Sequence, residues 1–176
     1  STNLLVADCG QYCVALTGGG AYDFNHSTIA NYWSYDLRQE PAFILTNTFQ
    51  DLQGSAQVRP VEAGNFRNGI IYGNNGNEFQ LALDDDAPAD FLFKNFLFRT
   101  DQSTSDATHF EPSTTYRNQD PGFKDPGSGN FHLKENAYAR NKGFDPFGLD
   151  PEAVNDLDGV LRPSDQSDLG CYTYVP

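Results

Sequence analysis

One short pattern recurs along this 176-residue chain and narrows what it can fold into. Phe66-Arg67-Asn68-Gly69-Ile70-Ile71 and Phe93-Lys94-Asn95-Phe96-Leu97-Phe98 both read Phe, any residue, Asn, two further residues, then a large apolar side chain. Phe24-Asn25-His26-Ser27-Thr28-Ile29 is a third copy with His in the Asn place. Phe66 and Phe93 stand 27 residues apart. A short self-similar period made of strand-like pieces marks a solenoid, in which each turn can bury its apolar side only against its neighbours.

The segments between the copies agree with that reading. Residues 3–8, 12–17, 22–26 and 28–32 read as short strands, with Gly10 and Gly18-Gly19-Gly20 as corners. Residues 42–47, 59–66, 70–72, 78–83, 90–94 and 96–99 continue the series. Strands this short, separated by Gly, Asn or Asp, suit a coil of three strands better than a sandwich of long hairpins. On this register Leu5, Ile29, Ile71 and Phe98 are equivalent, at spacings of 24, 42 and 27 residues. Phe24, Phe66 and Phe93 make a second file. The 42-residue interval is read as one coil with two polar insertions, residues 33–40 and roughly 50–57. Loops leaving one side of such a stack often carry function.

Composition supports strand-and-turn chemistry: 14 Phe, 9 Tyr and no Met, with many Asn, Asp, Gly, Ser and Thr. A net charge of −13, spread along the chain, disfavours nucleic acid and anionic membranes as partners. No apolar run is long enough to span a bilayer. Cys9, Cys13 and Cys171 are odd in number, so at least one is unpaired within the chain, and they read as small buried thiols rather than a disulfide or metal pair.

From Thr100 the periodicity fades, and residues 101–176 read as a cap over the open end of the stack, with one short helical turn near Pro151 to Val154. This tail resembles the C-terminal signature of right-handed parallel β-helix repeat proteins, common among secreted and lipid-anchored proteins of Bacteroidetes-type bacteria. The matching residues are Asp120, Pro121, Phe123, Asp125, Pro126, Gly129, Phe131 and Leu133, then Asp156, Asp158, Gly159, Arg162 and Pro163, and finally Asp168, Gly170, Tyr172 and Tyr174. The departures are Asn136-Ala137-Tyr138-Ala139 in the second block, Cys171 for Ala and Thr173 for Glu.

The resemblance implies an all-β chain: a right-handed parallel β-helix (solenoid) of about four coils over residues 1–100, with the C-terminal capping region in the same domain. Family members usually carry further coils before this point. Preceding coils, or another protein chain, are therefore expected to cover the N-terminal edge. The superfamily includes pectate-lyase-like enzymes and many members without known reaction, so the fold does not select an activity.

Candidate sites are few. Tyr32, Trp33 and Tyr35 enter the first insertion and are the best ligand-binding group, since their faces suit sugar rings or a protein partner. Packing of Trp33 over its own coil is the competing reading. Asp84, Asp85 and Asp86 are the candidates for Ca²⁺, against a solvated turn. Asp156-x-Asp158-Gly159 reads as an Asx turn partnered by Arg162, and His26 as a satisfied corner group. No phosphate loop, nucleophile elbow or Cys–His signature is present. A lyase would need a cation or basic cluster near the repeat, where only Arg67, Lys94 and Arg99 fall.

The expected function is that of a non-catalytic extracellular or cell-surface module, on a bacterial outer membrane, binding a glycan or a surface protein. One alternative is the C-terminal part of a polysaccharide lyase or glycoside hydrolase with its cleft upstream. Another is a subunit of an outer-membrane surface assembly.

Overall fold

A computed structural model describes residues 1–144 and 151–176 of the chain. Short extended segments between Gly, Asn and Asp corners form two parallel sheets. The larger contains β1 (Leu5–Ala7), β3 (Gly20–Asn25), β4 (Thr28–Asn31), β8 (Val61–Gly73), β10 (Ala89–Phe98) and β11 (Thr115–Arg117). The smaller runs β2 (Val14–Leu16), β5 (Phe43–Thr46), β9 (Phe79–Ala82). Two antiparallel pairs complete the strands: β6 (Thr48–Gln50) with β7 (Ala56–Val58), and β12 (Phe123–Asp125) with β13 (Asn130–Leu133). The turn expected near Pro151 is one 3₁₀ turn, Pro151–Ala153. Of the expected capping region 101–176, residues 145–150 lie outside the described part.

The register follows the repeat, with one correction. Ile29 pairs with Ile71 and Ile71 with Phe98, but the first rung is Val6, because Leu5 pairs with Thr28. The reason lies at the corner. His26, Asn68 and Asn95 all have left-handed backbone (φ 52, 55 and 52°), and so does Asn3 (φ 55°). Asn and His tolerate this region far better than β-branched residues, which accounts for the Asn of the pattern. Asn3 precedes Val6 by three residues, as His26 precedes Ile29, so it belongs to the same file.

Alternation along the strands splits the apolar residues between two cores. Ile29, Phe66, Ile71, Phe93 and Phe98 face Phe43, Leu45 and Phe79 of the smaller sheet. Phe24, Phe66, Phe93 and Phe110 stack in order, with centroids 5.5, 4.3 and 5.7 Å apart and planes within 21°. Such ring pairs add about 0.5–1.5 kcal/mol each beyond area burial. Gly69 lies under Phe96, whose ring atoms would stand 2.2 Å from any added Cβ.

Ala30, Ile70, Tyr72 and Leu97 point the other way and meet Phe123, Phe131, Leu133 and Leu169. The segment expected to cap the end therefore divides. Phe110 bridges Phe93 and β11 pairs with β10, so the register runs on past Thr100 to Arg117. Of the remainder, Phe123, Phe131, Leu133, Ala139 and Leu169 pack on the outer face of the larger sheet.

The corner file fastens this tail. Asn3 donates to the Asn155 carbonyl (2.8 Å) and accepts from Arg162 Nη2 (2.7 Å). His26 Nδ1 lies 3.3 Å from the Gly170 carbonyl. Asn68 accepts from the Phe144 amide (3.1 Å), and Asn95 donates to the Lys142 carbonyl (2.7 Å). A hydrogen bond contributes about 1 kcal/mol net, so burial makes the core and these corners set the path of the tail.

Candidate functional site

The first insertion leaves the larger sheet at Asn31, whose buried amide donates to the carbonyls of Cys9 (2.9 Å) and Gln11 (3.1 Å). Its three aromatic residues take different directions. Tyr32 turns inward between Phe123 and Phe131, at centroid distances of 6.3 and 6.1 Å, and burial pushes its phenol well above the usual range. Trp33 covers Gly10, where an added Cβ would sit 3.5 Å from its ring. Tyr35 stands edge-on to Trp33 at 4.9 Å and is 86% exposed. Leu37 beside it is 94% exposed.

The insertion then returns through Arg38. Its guanidinium pairs with Glu78 at 2.5 Å, both side chains being buried. Glu78 Oε1 also accepts from the Asn75 amide (2.8 Å) and Oε2 from the Ala42 amide (3.0 Å), while Arg38 donates to the carbonyls of Glu40 and Asn31. Two charges removed from water are tolerated because nearly every lone pair has a donor. The pair pins the root of the insertion and leaves its tip in solvent. In the sequence Glu78 opens the strand-like segment 78–83, and nothing local marks Arg38. An isolated Glu beside an apolar strand was the available signal.

On the same flank lies a depression of about 300 Å³ lined by Tyr72, Gly76, Arg99, Thr100, Asp101 and Asn118. Arg99 lies over the Tyr72 ring at 5.2 Å and donates to the Gly73 carbonyl at 2.9 Å. Asn118 holds Thr100 through both main-chain groups. An aromatic face beside a guanidinium and a carboxylate offers stacking and hydrogen bonding together. Tyr72 pairs with Ala30, and Asn74 donates to the Tyr32 carbonyl (3.1 Å), so this depression adjoins the insertion.

The acidic candidates are built into turns. The main chain of Asp84 exchanges two hydrogen bonds with the Asn47 amide, both 2.8 Å, and its carboxylate accepts from the Asp86 amide (2.9 Å). Asp85 and Asp86 are exposed. Among the described residues no three His, Cys, Asp or Glu side chains converge as metal ligands. Asp156 accepts from the amides of Asp158, Val160 and Thr173. Arg162 is buried against Asn3, Thr173 and the Cys171 carbonyl, and burial pulls it down to about 10. Among the described residues it forms no ion pair within 4 Å.

All three cysteines are free thiols; Cys171 is buried and Cys9 and Cys13 are half-buried. His132 bridges Asn130 (2.8 Å) and Asp158 (2.7 Å) and stacks on Tyr172 at 4.0 Å, which ties β13 to the tail.

No protein-family model, curated protein or solved structure matches this chain.

Proposed function

We propose that this chain is a non-catalytic module of an extracellular or bacterial cell surface, wound as a right-handed parallel β-helix, that binds a glycan or a surface protein through its first insertion. The observation that carries this reading is the contrast within the insertion. Its root is fixed by the buried Arg38–Glu78 pair, and its tip offers Tyr35 and Leu37 to solvent. A loop held in one conformation loses little entropy on binding, and an exposed aromatic on it is a ready anchor. The adjoining depression beneath Arg99 and Tyr72 widens the surface. The even acidic charge favours neutral or basic partners over polyanions.

The test is a glycan array together with binding to purified surface proteins, for the parent chain and Tyr35→Ala. Binding that weakens at least about tenfold in the variant, with no unsaturated or shortened product from a polysaccharide panel, supports the reading. Turnover of any polysaccharide by the 176-residue chain contradicts it.

A further inference from the structure

We propose that the cavity between β11 and the segment 103–105 is a second ligand site, built for one tetrahedral oxyanion, the phosphate or sulfate group of a small ester. It is separate from the first insertion and does not depend on ligand binding there.

The cavity follows from the register at the end of the stack. Thr115 pairs with Phe96 and Arg117 with Phe98. Phe96 and Phe98 belong to the core between the two sheets, and side chains in register on neighbouring strands point the same way. Thr115 and Arg117 therefore reach over the end of that core. On the other side Gln102 holds the main chain of Leu81 through its carboxamide, and Ser103, Thr104 and Ser105 follow it. Arg117 Nη1 spans the gap and donates to the Gln102 carbonyl (2.8 Å). Here lies a cavity of about 410 Å³, lined by Ser103, Thr104, Ser105, Pro112, Thr115 and Arg117.

Its wall offers unspent donors around a positive charge. The Thr115 hydroxyl is committed to the Glu111 carbonyl (2.9 Å). Ser103 and Ser105 share one hydrogen bond (2.8 Å), so one of their hydroxyl protons is used and the other is left. The Thr104 hydroxyl has no partner among the described residues. Arg117 keeps its other N–H groups and forms no ion pair within 4 Å among the described residues, and no carboxylate lines the cavity. A guanidinium fork takes up both oxygens of a carboxylate, whereas a phosphate or sulfate presents further oxygens to hydroxyls on the facing segment. The depression beneath Tyr72 and Arg99 differs, because Asp101 lines it and repels such a group. The net charge of −13 is screened by salt, so it opposes a single anionic group in contact with Arg117 far less than a polyanion.

Isothermal titration at constant ionic strength tests the proposal, with inorganic phosphate, inorganic sulfate, a hexose 6-phosphate and a hexose 6-sulfate as probes and chloride as the control anion. The expected result is saturable binding of phosphate or sulfate that chloride does not displace, and the tighter of the two esters names the group. Arg117→Gln should weaken binding at least about tenfold, and Thr104→Val about fivefold. Arg59→Gln removes an equally exposed charge away from the cavity and should bind as the parent does. Arg117 and Arg59 are both exposed, so circular dichroism should stay that of the parent in either variant. Absence of saturable binding by all four probes overturns the proposal. So does an Arg117→Gln variant that binds as well as the parent, or an Arg59→Gln variant that loses as much.

Discussion

Arg162 reaches 159 residues back along the chain to donate a 2.7 Å hydrogen bond to the Asn3 side chain. The last part of the tail is thus tied to the first corner of the strands. Asn3 has left-handed backbone there and also holds the Asn155 carbonyl at 2.8 Å, so one residue serves turn and tail together. Removing either partner leaves buried polar groups without their bond. Arg162→Ala and Asn3→Ala are each expected to lower the unfolding free energy by about 1–3 kcal/mol. A double-mutant cycle in urea should return a coupling of about 0.5–3 kcal/mol. Additive losses would separate the two residues.

The left-handed corners can be tested apart from their hydrogen bonds. Asn95→Gly keeps the backbone free to adopt φ 52° but loses the bond to Lys142, whereas Asn95→Ala loses both. The alanine variant should be less stable than the glycine variant by about 1 kcal/mol, read from thermal or urea unfolding.

Glu78→Ala strands the Arg38 guanidinium in a site where both side chains are buried. A loss of about 3–5 kcal/mol is expected, because an unpaired buried charge is left behind. Limited proteolysis should then cut first within residues 33–40. Tyr35→Ala, at the exposed tip, should leave stability within about 0.5 kcal/mol of the parent.

Burial raises the Cys171 thiol from 9.0 to about 11 and Cys13 to about 12. A folded-state value above the unfolded one favours the neutral thiol. The stability tied to Cys171 is therefore fully present below about pH 9 and lost as pH rises through about 11. Cys171→Ala should flatten the fall of unfolding free energy across that window. In the folded chain at pH 8, thiol reagents should modify Cys9 first and Cys171 only on unfolding, since Cys171 alone of the three is buried.

Much of the strand register was legible because Phe-x-Asn marks two physical constraints at once. The Phe must stack inside, and the Asn must take a left-handed corner. Ile29, Ile71 and Phe98 were placed on this basis. Val6 was displaced by one residue because Asn3 has no Phe before it, and a one-residue slip exchanges the two faces of a strand. The tail was harder to place. Its Phe123, Phe131 and Leu133 carry no period, and only the outward residues Ile70, Tyr72 and Leu97 disclose a second apolar face to receive them. The insertion was recognised by its polarity, but not its anchor, since Arg38 and Glu78 are 40 positions apart and nothing local joins them. The Gln102 carboxamide accepts from the Leu81 amide (2.8 Å) and donates to the Leu81 carbonyl (3.2 Å), and an amide that imitates a strand in this way leaves no pattern in the sequence.

β3 and β8 lie side by side in parallel across a 42-residue interval, with Phe24 opposite Phe66. Ala21 and Ala63 are exposed and directly in register. Neighbouring strands stand about 4.8 Å apart, within the reach of a disulfide. In Ala21→Cys/Ala63→Cys, mild oxidation followed by peptide mapping should find the two new cysteines joined in high yield, with the fold retained. If two shorter circuits filled the interval instead, these positions would stand about 9–10 Å apart and no such bond would form in the folded chain.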